Sequence, residues 1–388
     1  MIQDPTPSRR TGAVWRFAVL LAPIVLLGVT ATAVAADLIM QTEKGPVRSE
    51  TLAQGLEHPW GMAFLPDGRI LVTERPGRLR LVGPAGLQPE PIAGLPEITA
   101  AGQGGLLDVA LDAEFAHKPY VYLSFTAKGN DGIGTEVARA RFDGERLKDV
   151  EVIFRATPKG DGGRHFGSRL VFDRQGRLYV TLGDRGDRPR AQQLDDHAGS
   201  VIRIEANGKV PQDNPFVGRS DARAEIYAYG NRNVQGAALH PETGELWAHE
   251  HGPQGGDELN VIRSGVNYGW PVITYGVNYG IGTKIGEGTH KAGMAQPLYY
   301  WVPSISPSGM TFYTADRFPQ WRGNLFLGSL KFSQLVRLEM DGERVVHEER
   351  MLADNLGRIR DVRQGPDGYL YLLTDESNGR LVRLMPAQ

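Results

Sequence analysis

A short turn-and-strand unit recurs along this 388-residue chain, and it constrains the fold more than any other feature of the sequence. Each copy places Asp, Pro or Gly residues in a tight turn and continues with a short run of aliphatic and aromatic residues. Such turns favour hairpins because glycine adopts positive φ without steric cost. The copies cover residues 66–73, 118–125, 173–181, 241–248, 321–328 and 366–374.

The number and spacing of these units predict the architecture. Six copies, each with room for four short strands, indicate an all-β fold, a six-bladed β-propeller of four-stranded antiparallel blades. The wide spacing between the third and fifth copies predicts long insertions, whose loops would build a site on one face. A pair of β-sandwiches with coincidental turns is the alternative. No segment has the composition of a linker, so we expect a single domain.

The N-terminus differs in composition from the rest of the chain. Three arginines within the first 16 residues precede an apolar run at 17–29, and small residues follow it. This order is typical of a secretory signal peptide. We therefore expect residues 1–36 to be removed, which would leave the propeller domain at residues 37–388 in the periplasm or secreted. An uncleaved membrane anchor is the alternative, although the apolar run is short for a span.

Composition excludes several kinds of chemistry. The chain has no cysteine, so thiol catalysis, thiolate zinc sites and iron–sulfur clusters are excluded. Its formal net charge is −2 and it has no polybasic tract, so we expect no nucleic-acid partner. A catalytic function must therefore rest on other titratable residues, on fixed cations or on a bound cofactor.

One histidine and one Arg-Asn pair are candidates for catalysis. His165 follows a turn at 161–164 and precedes a strand from Ser168, which places it at a propeller mouth. A histidine there can act as a general base towards a substrate hydroxyl, whereas most single histidines are packed or solvated. Arg232 offers a planar donor fork and Asn233 can donate beside it, although the same pair would suit a polar turn.

Three further cations could hold an anionic ligand. Arg358 and Arg360 alternate with Ile359, so we expect both guanidinium groups on one side of a strand. Lys331 directly follows an apolar strand at 325–330, which places it at the mouth-side end of that strand. Solvation at the surface is the ordinary alternative for such side chains.

A glycine-rich turn offers oxygen ligands for a hard metal ion. Residues 252–258, Gly-Pro-Gln-Gly-Gly-Asp-Glu, could turn sharply enough to aim backbone carbonyls at one point. Carbonyl and carboxylate oxygens are the ligands that calcium prefers, although most such turns bind nothing. His249 and His251 would share a strand face and could form half of a zinc site, but the sequence offers no convincing further ligands.

In combination, these motifs resemble those of a known family. The chain resembles the soluble quinoprotein glucose/sorbosone dehydrogenases, and within them the bacterial aldose sugar dehydrogenase branch, which uses pyrroloquinoline quinone (PQQ). The resemblance extends from the Leu-Glu-His-Pro-Trp-Gly segment at 56–61 to the Arg-Leu-Val-Arg-Leu segment at 380–384. It implies a six-bladed propeller, in agreement with the repeat.

The resemblance also implies roles for individual residues. It makes His165 the base that takes the proton of the sugar C1 hydroxyl, and Arg232 the residue that stabilises charge on the quinone. The residues implied to contact PQQ are Gln103, Arg232, Asn233, Lys331, Arg358 and Arg360, with Tyr279 and Trp301 at the walls. The implied calcium ligands are the carbonyls of Gly252 and Pro253 beside the cofactor, and Glu258 with the Tyr268 carbonyl for a second, structural ion.

The implied activity is the oxidation of aldose sugars at C1 to lactones. Electrons would pass to an external acceptor, either a quinone or a periplasmic carrier, and the enzyme would be a monomer or a homodimer. Charged loops at 159–163 and 185–191, and the lack of the long insertions of the glucose-specific branch, favour broad sugar specificity. A calcium-dependent propeller lactonase would need a central cage of acidic and Asn ligands. A non-enzymatic binding propeller would lack the base or the cations.

Overall fold

The computed structural model describes residues 38–353 and 355–387, together with Gly12, so the predicted signal peptide lies, apart from that glycine, outside the described residues. Within the described part, six antiparallel sheets form the blades of a β-propeller, which confirms the predicted fold. The helical segments of this part are two 3-10 turns, Arg188–Gln192 and Pro319–Trp321. No helix in these ranges is long and apolar enough to cross a membrane.

The strands follow one another blade by blade along the chain. The first two are β1 (Ile39–Met40) and β2 (Val47–Leu56). Blade 1 consists of β3 (Pro59–Phe64), β4 (Ile70–Glu74), β5 (Arg78–Gly83) and β6 (Gly86–Leu87). Blade 2 consists of β7 (Leu106–Leu111), β8 (Tyr120–Gly129), β9 (Gly132–Phe142) and β10 (Leu147–Arg155). Blade 3 consists of β11 (Leu170–Phe172), β12 (Arg177–Thr181), β13 (Val201–Glu205) and β14 (Ile226–Ala228).

The second half of the propeller continues in the same way, except at its last blade. Blade 4 consists of β15 (Val234–Leu239), β16 (Leu246–Glu250), β17 (Asp257–Ile262) and β18 (Tyr299–Trp301). Blade 5 consists of β19 (Pro307–Phe312), β20 (Leu325–Ser329), β21 (Gln334–Asp341) and β22 (Arg344–Met351). Blade 6 consists of β23 (Ile359–Gln364), β24 (Leu370–Thr374) and β25 (Gly379–Pro386), followed in the sheet by β2 and β1. The two ends of the described chain are therefore paired in one sheet.

Every copy of the sequence repeat forms the second strand of a blade. The six strands concerned are β4, β8, β12, β16, β20 and β24. The first strands of neighbouring blades contact each other and are therefore the innermost. Apolar side chains pack between adjacent blades, as Leu71 and Leu79 of blade 1 do against Val121 and Leu123 of blade 2.

Antiparallel strands bring two kinds of connection to the same face of the ring. These are the turns from second to third strands and the crossovers from each blade to the next. The predicted long insertions lie at 182–200, 206–225 and 263–298, between the third and fifth repeat copies. Most of the functional side chains described below lie on these two kinds of connection, so the topology alone gathers them.

The innermost strands carry a buried ion cluster. Arg169 Nη1 lies 3.0 Å from Asp108 Oδ1 and 3.1 Å from Asp361 Oδ1. Arg363 pairs with the same two carboxylates, at 2.8 Å and 3.0 Å. The cluster, two Arg and two Asp, thus joins blades 2, 3 and 6. The Arg169 guanidinium also stacks on Trp60 of blade 1, with 4.4 Å between the guanidinium carbon and the ring centroid.

Candidate active site

A cavity of about 760 Å³ lies where the connections of all six blades meet. Nine of the residues predicted for the site line it: Gln103, His165, Arg232, Asn233, Gly252, Tyr279, Lys331, Arg358 and Arg360. They are spread along the sequence from Gln103 to Arg360, and the closing of the ring brings them together. The volume suits a cofactor together with a small substrate.

The lining of this cavity is strongly cationic. Five fixed cations contribute to it, namely Arg75, Arg232, Lys331, Arg358 and Arg360. Asp375 is the one carboxylate among the lining residues. The cavity therefore favours a ligand with several negative charges.

His165 is held in a fixed orientation at the cavity. Its Nδ1 lies 2.6 Å from Asp184 Oδ1, and because a carboxylate can only accept, Nδ1 carries the proton. Its backbone N donates to Gln103 Oε1 at 2.8 Å, and its φ of +57° turns the chain sharply before Gly167. No bond to its Nε2 is found among the described residues. Burial lowers the pKa of His165 below the usual value, against the opposing effect of Asp184.

Asp184 was not predicted from the sequence, although it determines how His165 is held. Its Oδ2 accepts from Trp270 Nε1 at 2.8 Å, and its Oδ1 accepts from the backbone N of Gly186 at 2.7 Å. Burial acts to raise the pKa of Asp184, but the hydrogen bond to His165, together with the charge of His165 and the bonds from Gly186 and Trp270, leaves the pKa below its usual value. A sequence signal existed, because Asp184 lies three residues after β12, in a connection between second and third strands, and such connections share a face with the crossover that carries His165.

Arg232 and Asn233 lie beside His165. Arg232 Nη1 donates to the carbonyls of His251 and Gly252, at 3.0 Å and 2.7 Å, and its guanidinium stacks on Trp270. Asn233 Oδ1 accepts from the backbone N of Gly167 at 3.2 Å, so it braces the turn that carries His165. The pair therefore faces the cavity and also stabilises its wall.

The three remaining predicted cations lie together at one end of the lining. Arg360 Nη2 pairs with Asp375 Oδ2 at 2.7 Å, and Arg358 Nη2 lies 3.5 Å from the same oxygen. Ile359 between them is fully buried, which confirms the predicted alternation. Lys331 is exposed and has no carboxylate partner among the described residues, so its charge remains available to a ligand.

The two predicted wall aromatics differ in position. Tyr279 is 65% exposed at the rim of the cavity. Trp301 is not among the residues that line the cavity: it is buried between blades, donates from Nε1 to Glu348 Oε2 at 2.7 Å and packs edge-on against Tyr299. Its position is that of a core residue, because the inward side of β18 faces the neighbouring blade.

The predicted calcium ligands fall into two groups. Gly252 lines the cavity, whereas Pro253 does not. A Cβ on Gly252 would collide with the carbonyl oxygens of both Gly255 and Gly256, so this turn does bring carbonyls together. Glu258 and Tyr268 lie away from the cavity lining, at a small void that Glu250 also lines.

Glu250 and Glu258 form a buried carboxylate pair at this void. Glu250 accepts from Asn231 Nδ2 at 2.8 Å and from the backbone N of Arg232. Burial raises the pKa of both carboxyls, and the charge of Glu250 raises that of Glu258 further. Asn231 Oδ1 is buried without a hydrogen-bond partner in the described structure. Two acids without an ion-pair partner, beside an unpaired oxygen, are a donor set that suits a cation.

The side chains around His249 and His251 offer little support for the zinc site considered from the sequence. The described residues contain no group of three or more His, Cys, Asp or Glu side chains placed to hold a metal ion. His251 Nε2 is bonded to the Pro307 carbonyl at 2.6 Å, and both ring nitrogens of His249 are buried without partners.

A six-bladed propeller with an Asp-paired histidine in a cationic cavity defines a recognisable class of protein. The family model for glucose/sorbosone dehydrogenases matches residues 56–383, and the chain belongs to that family.

The chain has close relatives of known description in this family. It is 47% identical over 346 residues to aldose sugar dehydrogenase YliI of Escherichia coli, covering 88% of this chain and 93% of that protein. The crystal structure of the soluble aldose sugar dehydrogenase from Escherichia coli in the apo-form aligns with a TM-score of 0.85 and 46% identity, covering 88% of this chain and all of that one. The PQQ-bound form of an aldose sugar dehydrogenase from Streptomyces coelicolor aligns with a TM-score of 0.71 and 29% identity, covering 87% and 98% of the two chains.

Proposed function

We propose that this chain is a PQQ- and calcium-dependent dehydrogenase that oxidises aldose sugars at C1 to lactones. The observation that carries the proposal is the meeting of the His165–Asp184 pair with five cations in one cavity. The Escherichia coli relative, named an aldose sugar dehydrogenase, and the PQQ-bound Streptomyces relative support it.

The residues of the cavity fit a planar polycarboxylate cofactor. Lys331, Arg358 and Arg360 would hold its carboxylates, because guanidinium and ammonium groups are the natural donors to such oxygens. Arg360 Nε is buried without a hydrogen-bond partner in the described structure, which leaves a donor that an anionic ligand can satisfy. Gln103, Arg232 and Asn233 would lie at the remaining polar edge of the cofactor.

The chain's own residues would perform the proton transfer. When bound, PQQ supplies the hydride acceptor and calcium supplies a Lewis acid. Asp184 keeps the proton on Nδ1 of His165, so Nε2 presents a lone pair to the C1 hydroxyl. His165 Nε2 would take the hydroxyl proton as C1 is oxidised, and the C1–O bond would become the lactone carbonyl. Arg232 stabilises the negative charge that develops opposite the sugar.

Calcium is proposed at both predicted places. The Gly252 carbonyl already accepts from Arg232, so one lone pair is engaged and the other remains for an ion beside the cofactor. The void between Glu250 and Glu258 would hold a structural ion, with the Tyr268 carbonyl as a further ligand. There the ion would supply the positive charge that the buried acid pair lacks.

The structural calcium ion can be tested by thermal stability. Calcium should raise the melting temperature of chelator-treated protein, and Glu258→Gln should abolish most of that rise because it removes one ligand charge. Glu287→Gln, at an exposed acid paired only with Lys291, serves as the matched control and should keep the full response. An unchanged response in Glu258→Gln would remove this residue from the calcium site.

The alternatives are less well supported by the lining. A lactonase would need an acidic cage, whereas the lining contains one carboxylate, Asp375, and one asparagine, Asn233. A binding propeller would have lost the base or the cations, whereas His165, Lys331, Arg358 and Arg360 all line the cavity. The dehydrogenase is therefore the function that we propose.

Three accompanying features remain part of the proposal. Electrons would pass to an external quinone or a periplasmic carrier, and the enzyme would be a monomer or a homodimer. Residues 1–36 would direct export as a signal peptide and then be removed, which leaves residues 37–388 as the mature protein in the periplasm or secreted. N-terminal sequencing of the exported protein tests that cleavage directly, and an intact N-terminus would favour a membrane anchor.

Reconstitution tests the proposed activity. Purified apo-protein would be mixed with PQQ and calcium, and dye reduction would be followed with a panel of aldoses and by assay of the lactone formed. We expect reduction that depends on both additions and on the sugar. Binding of PQQ without turnover would point to a binding protein, and lactone hydrolysis without PQQ would point to the lactonase.

A further inference from the structure

The cavity contains a second histidine–aspartate pair, which the mechanism above does not use. His58 Nδ1 lies 2.9 Å from Asp375 Oδ1, and both residues line the cavity. Like His165, His58 has a left-handed backbone, with φ of +46°. The two pairs come from different blade junctions, since His58 joins blade 6 to blade 1 and His165 joins blade 2 to blade 3. They therefore approach the cavity from different sides.

The backbone fixes His58 on both sides. Its N donates to the Glu376 carbonyl at 2.8 Å, and its carbonyl accepts from the backbone N of Arg75 at 3.1 Å. Asp375 can only accept from Nδ1, so that nitrogen carries a proton. The side chain is 32% exposed, and no bond to Nε2 is found among the described residues. Nε2 is thus the atom of His58 that remains available to a ligand.

Several charged residues lie on the elements that pack around His58. On the β23 side, Arg358 and Arg360 reach Asp375, the carboxylate that His58 also contacts. Glu376 and Arg75 contact His58 through their backbone groups, from the connections after β24 and β4, and Glu57, which pairs with Arg78, precedes it. Burial acts to raise the pKa of Asp375, but its pairing with Arg360 and His58 brings it well below the usual range, so this carboxylate stays charged. A carboxylate held by Arg358 and Arg360 would add negative charge on the cavity side of His58.

We propose that His58 is a ligand-binding residue, which donates from Nε2 to a carboxylate held by Arg358 and Arg360 and takes up a proton as that ligand binds. Neutral His58 presents a lone pair at Nε2, which would repel a carboxylate oxygen. Protonated His58 presents a donor there while keeping its bond to Asp375. This inference rests on the proposed function, because it takes the ligand to be a polycarboxylate cofactor.

The inference predicts that one proton is taken up when the ligand binds, and that His58 takes it up. Affinity for the ligand should fall as the pH rises, by at most about tenfold per pH unit for a single linked proton. Two other histidines line the cavity, His165 and His251. The ring of His251 is bonded to the Pro307 carbonyl, and burial lowers its pKa well below the usual value. The experiment must therefore distinguish the effect of His165 on the pH dependence of binding from that of His58.

Equilibrium binding of PQQ to apo-protein tests the inference without any measurement of turnover. Free PQQ would be measured by absorbance after ultrafiltration, at fixed calcium, from about pH 5.5 to about pH 8. For the wild type we expect the dissociation constant to rise across this range. His58→Gln should weaken binding about 10- to 100-fold at the acid end, the range for a hydrogen bond to a charged group, and should flatten the pH dependence.

Two variants make the result decisive. His58→Asn suits the left-handed backbone, can keep a bond to Asp375 and lacks the outer nitrogen, so it should bind as weakly as His58→Gln while melting near the wild type. His165→Gln removes the other titratable histidine and should keep the wild-type slope. An unchanged slope in both His58 variants would overturn the inference and leave the proposed function standing. Failure of the wild type to bind PQQ at any pH would overturn both.

Discussion

His165 shows how single residues determine chemistry in this protein. The left-handed backbone turns its ring into the cavity, Asp184 holds one nitrogen, and the other nitrogen is left for a substrate. Gln103 and Asn233 fix the same turn through backbone bonds. If His165 is the base, as proposed, its ring would lose little freedom when a sugar binds, which favours general-base catalysis.

Removal of the base should affect turnover and not cofactor binding. We expect His165→Ala to lower turnover about 10²- to 10⁴-fold, the usual contribution of a general base. PQQ should still bind, because the cations Lys331, Arg358 and Arg360 are untouched. Steady-state kinetics and absorbance of bound PQQ measure the two effects separately. Near-normal turnover would exclude His165 as the base.

The pH profile should report the environment of His165. The base must be neutral, and its pKa lies below the usual 6.5, so the acid limb of kcat/KM should lie below that pH. Asp184→Asn removes an interaction that raises this pKa, so the limb should move further towards acid while kcat falls. Asp187→Asn, an exposed acid three residues along the chain, should leave both unchanged. A limb that moves towards alkaline pH in Asp184→Asn would contradict this assignment.

At the level of strands and connections, glycine makes room for the central ion cluster. A Cβ on Gly309 of β19 would collide with Asp361 Oδ1 of the neighbouring blade, and one on Gly61 would lie 2.5 Å from Asp108 Oδ1. These glycines lie on innermost strands, where blades approach each other most closely. Close approach allows the buried acids to reach Arg169 across the blade junctions.

This close approach predicts that alanine substitutions at two glycines will differ in their effect on the free energy of unfolding. Gly309→Ala should lower the free energy of unfolding by about 1–3 kcal/mol, because the added methyl group overpacks a rigid junction. Gly288→Ala has open space around its Cβ and should change it by less than about 0.5 kcal/mol. Urea denaturation of the two variants measures both values. Equal stability of the two variants would mean that the contact between the innermost strands of blades 5 and 6 can shift to accommodate the added methyl group.

Strand periodicity explains which parts of the site could be predicted from the sequence. The repeat identified all six second strands, and the alternation at 358–360 placed both arginines in the cavity, since both signals are local. Trp270 was missed because its partner Asp184 belongs to another blade. Asp184 lies in the blade that His165 leads into, and Asp375 in the same blade as Arg360, but the local sequence does not show which acid of a turn points towards the cavity. Trp301, which the resemblance implied at the cavity wall, is buried outside the lining residues, and a run of aromatic residues does not reveal which side of its strand faces the core.

For the whole molecule, one sheet holds the ring closed. Blade 6 takes three strands from the C-terminal part of the chain and two from the N-terminal part, and β2 pairs with β25 along its whole length. Without β1 and β2, the outer edge of β25 would be left with unpaired backbone groups, and exposed strand edges promote aggregation.

Truncation tests the importance of this closure. A chain that begins after Leu56 should fail to give a monodisperse product, whereas one that begins at Leu38 should fold normally. Size-exclusion chromatography and far-UV circular dichroism distinguish the two outcomes. A well-folded shorter chain would show that the other three strands of blade 6 suffice.

The pairing of β2 with β25 also determines when the ring can close during synthesis. The strand β2, which is synthesised before blade 1, must wait for β25, which is synthesised after blade 5, because the two share one ladder of hydrogen bonds. An incomplete polypeptide can assemble early blades but cannot join its ends. His58 lies at this junction, so it can contact Asp375 only after the chain has been synthesised through blade 6. The cavity is therefore completed only at that stage of synthesis.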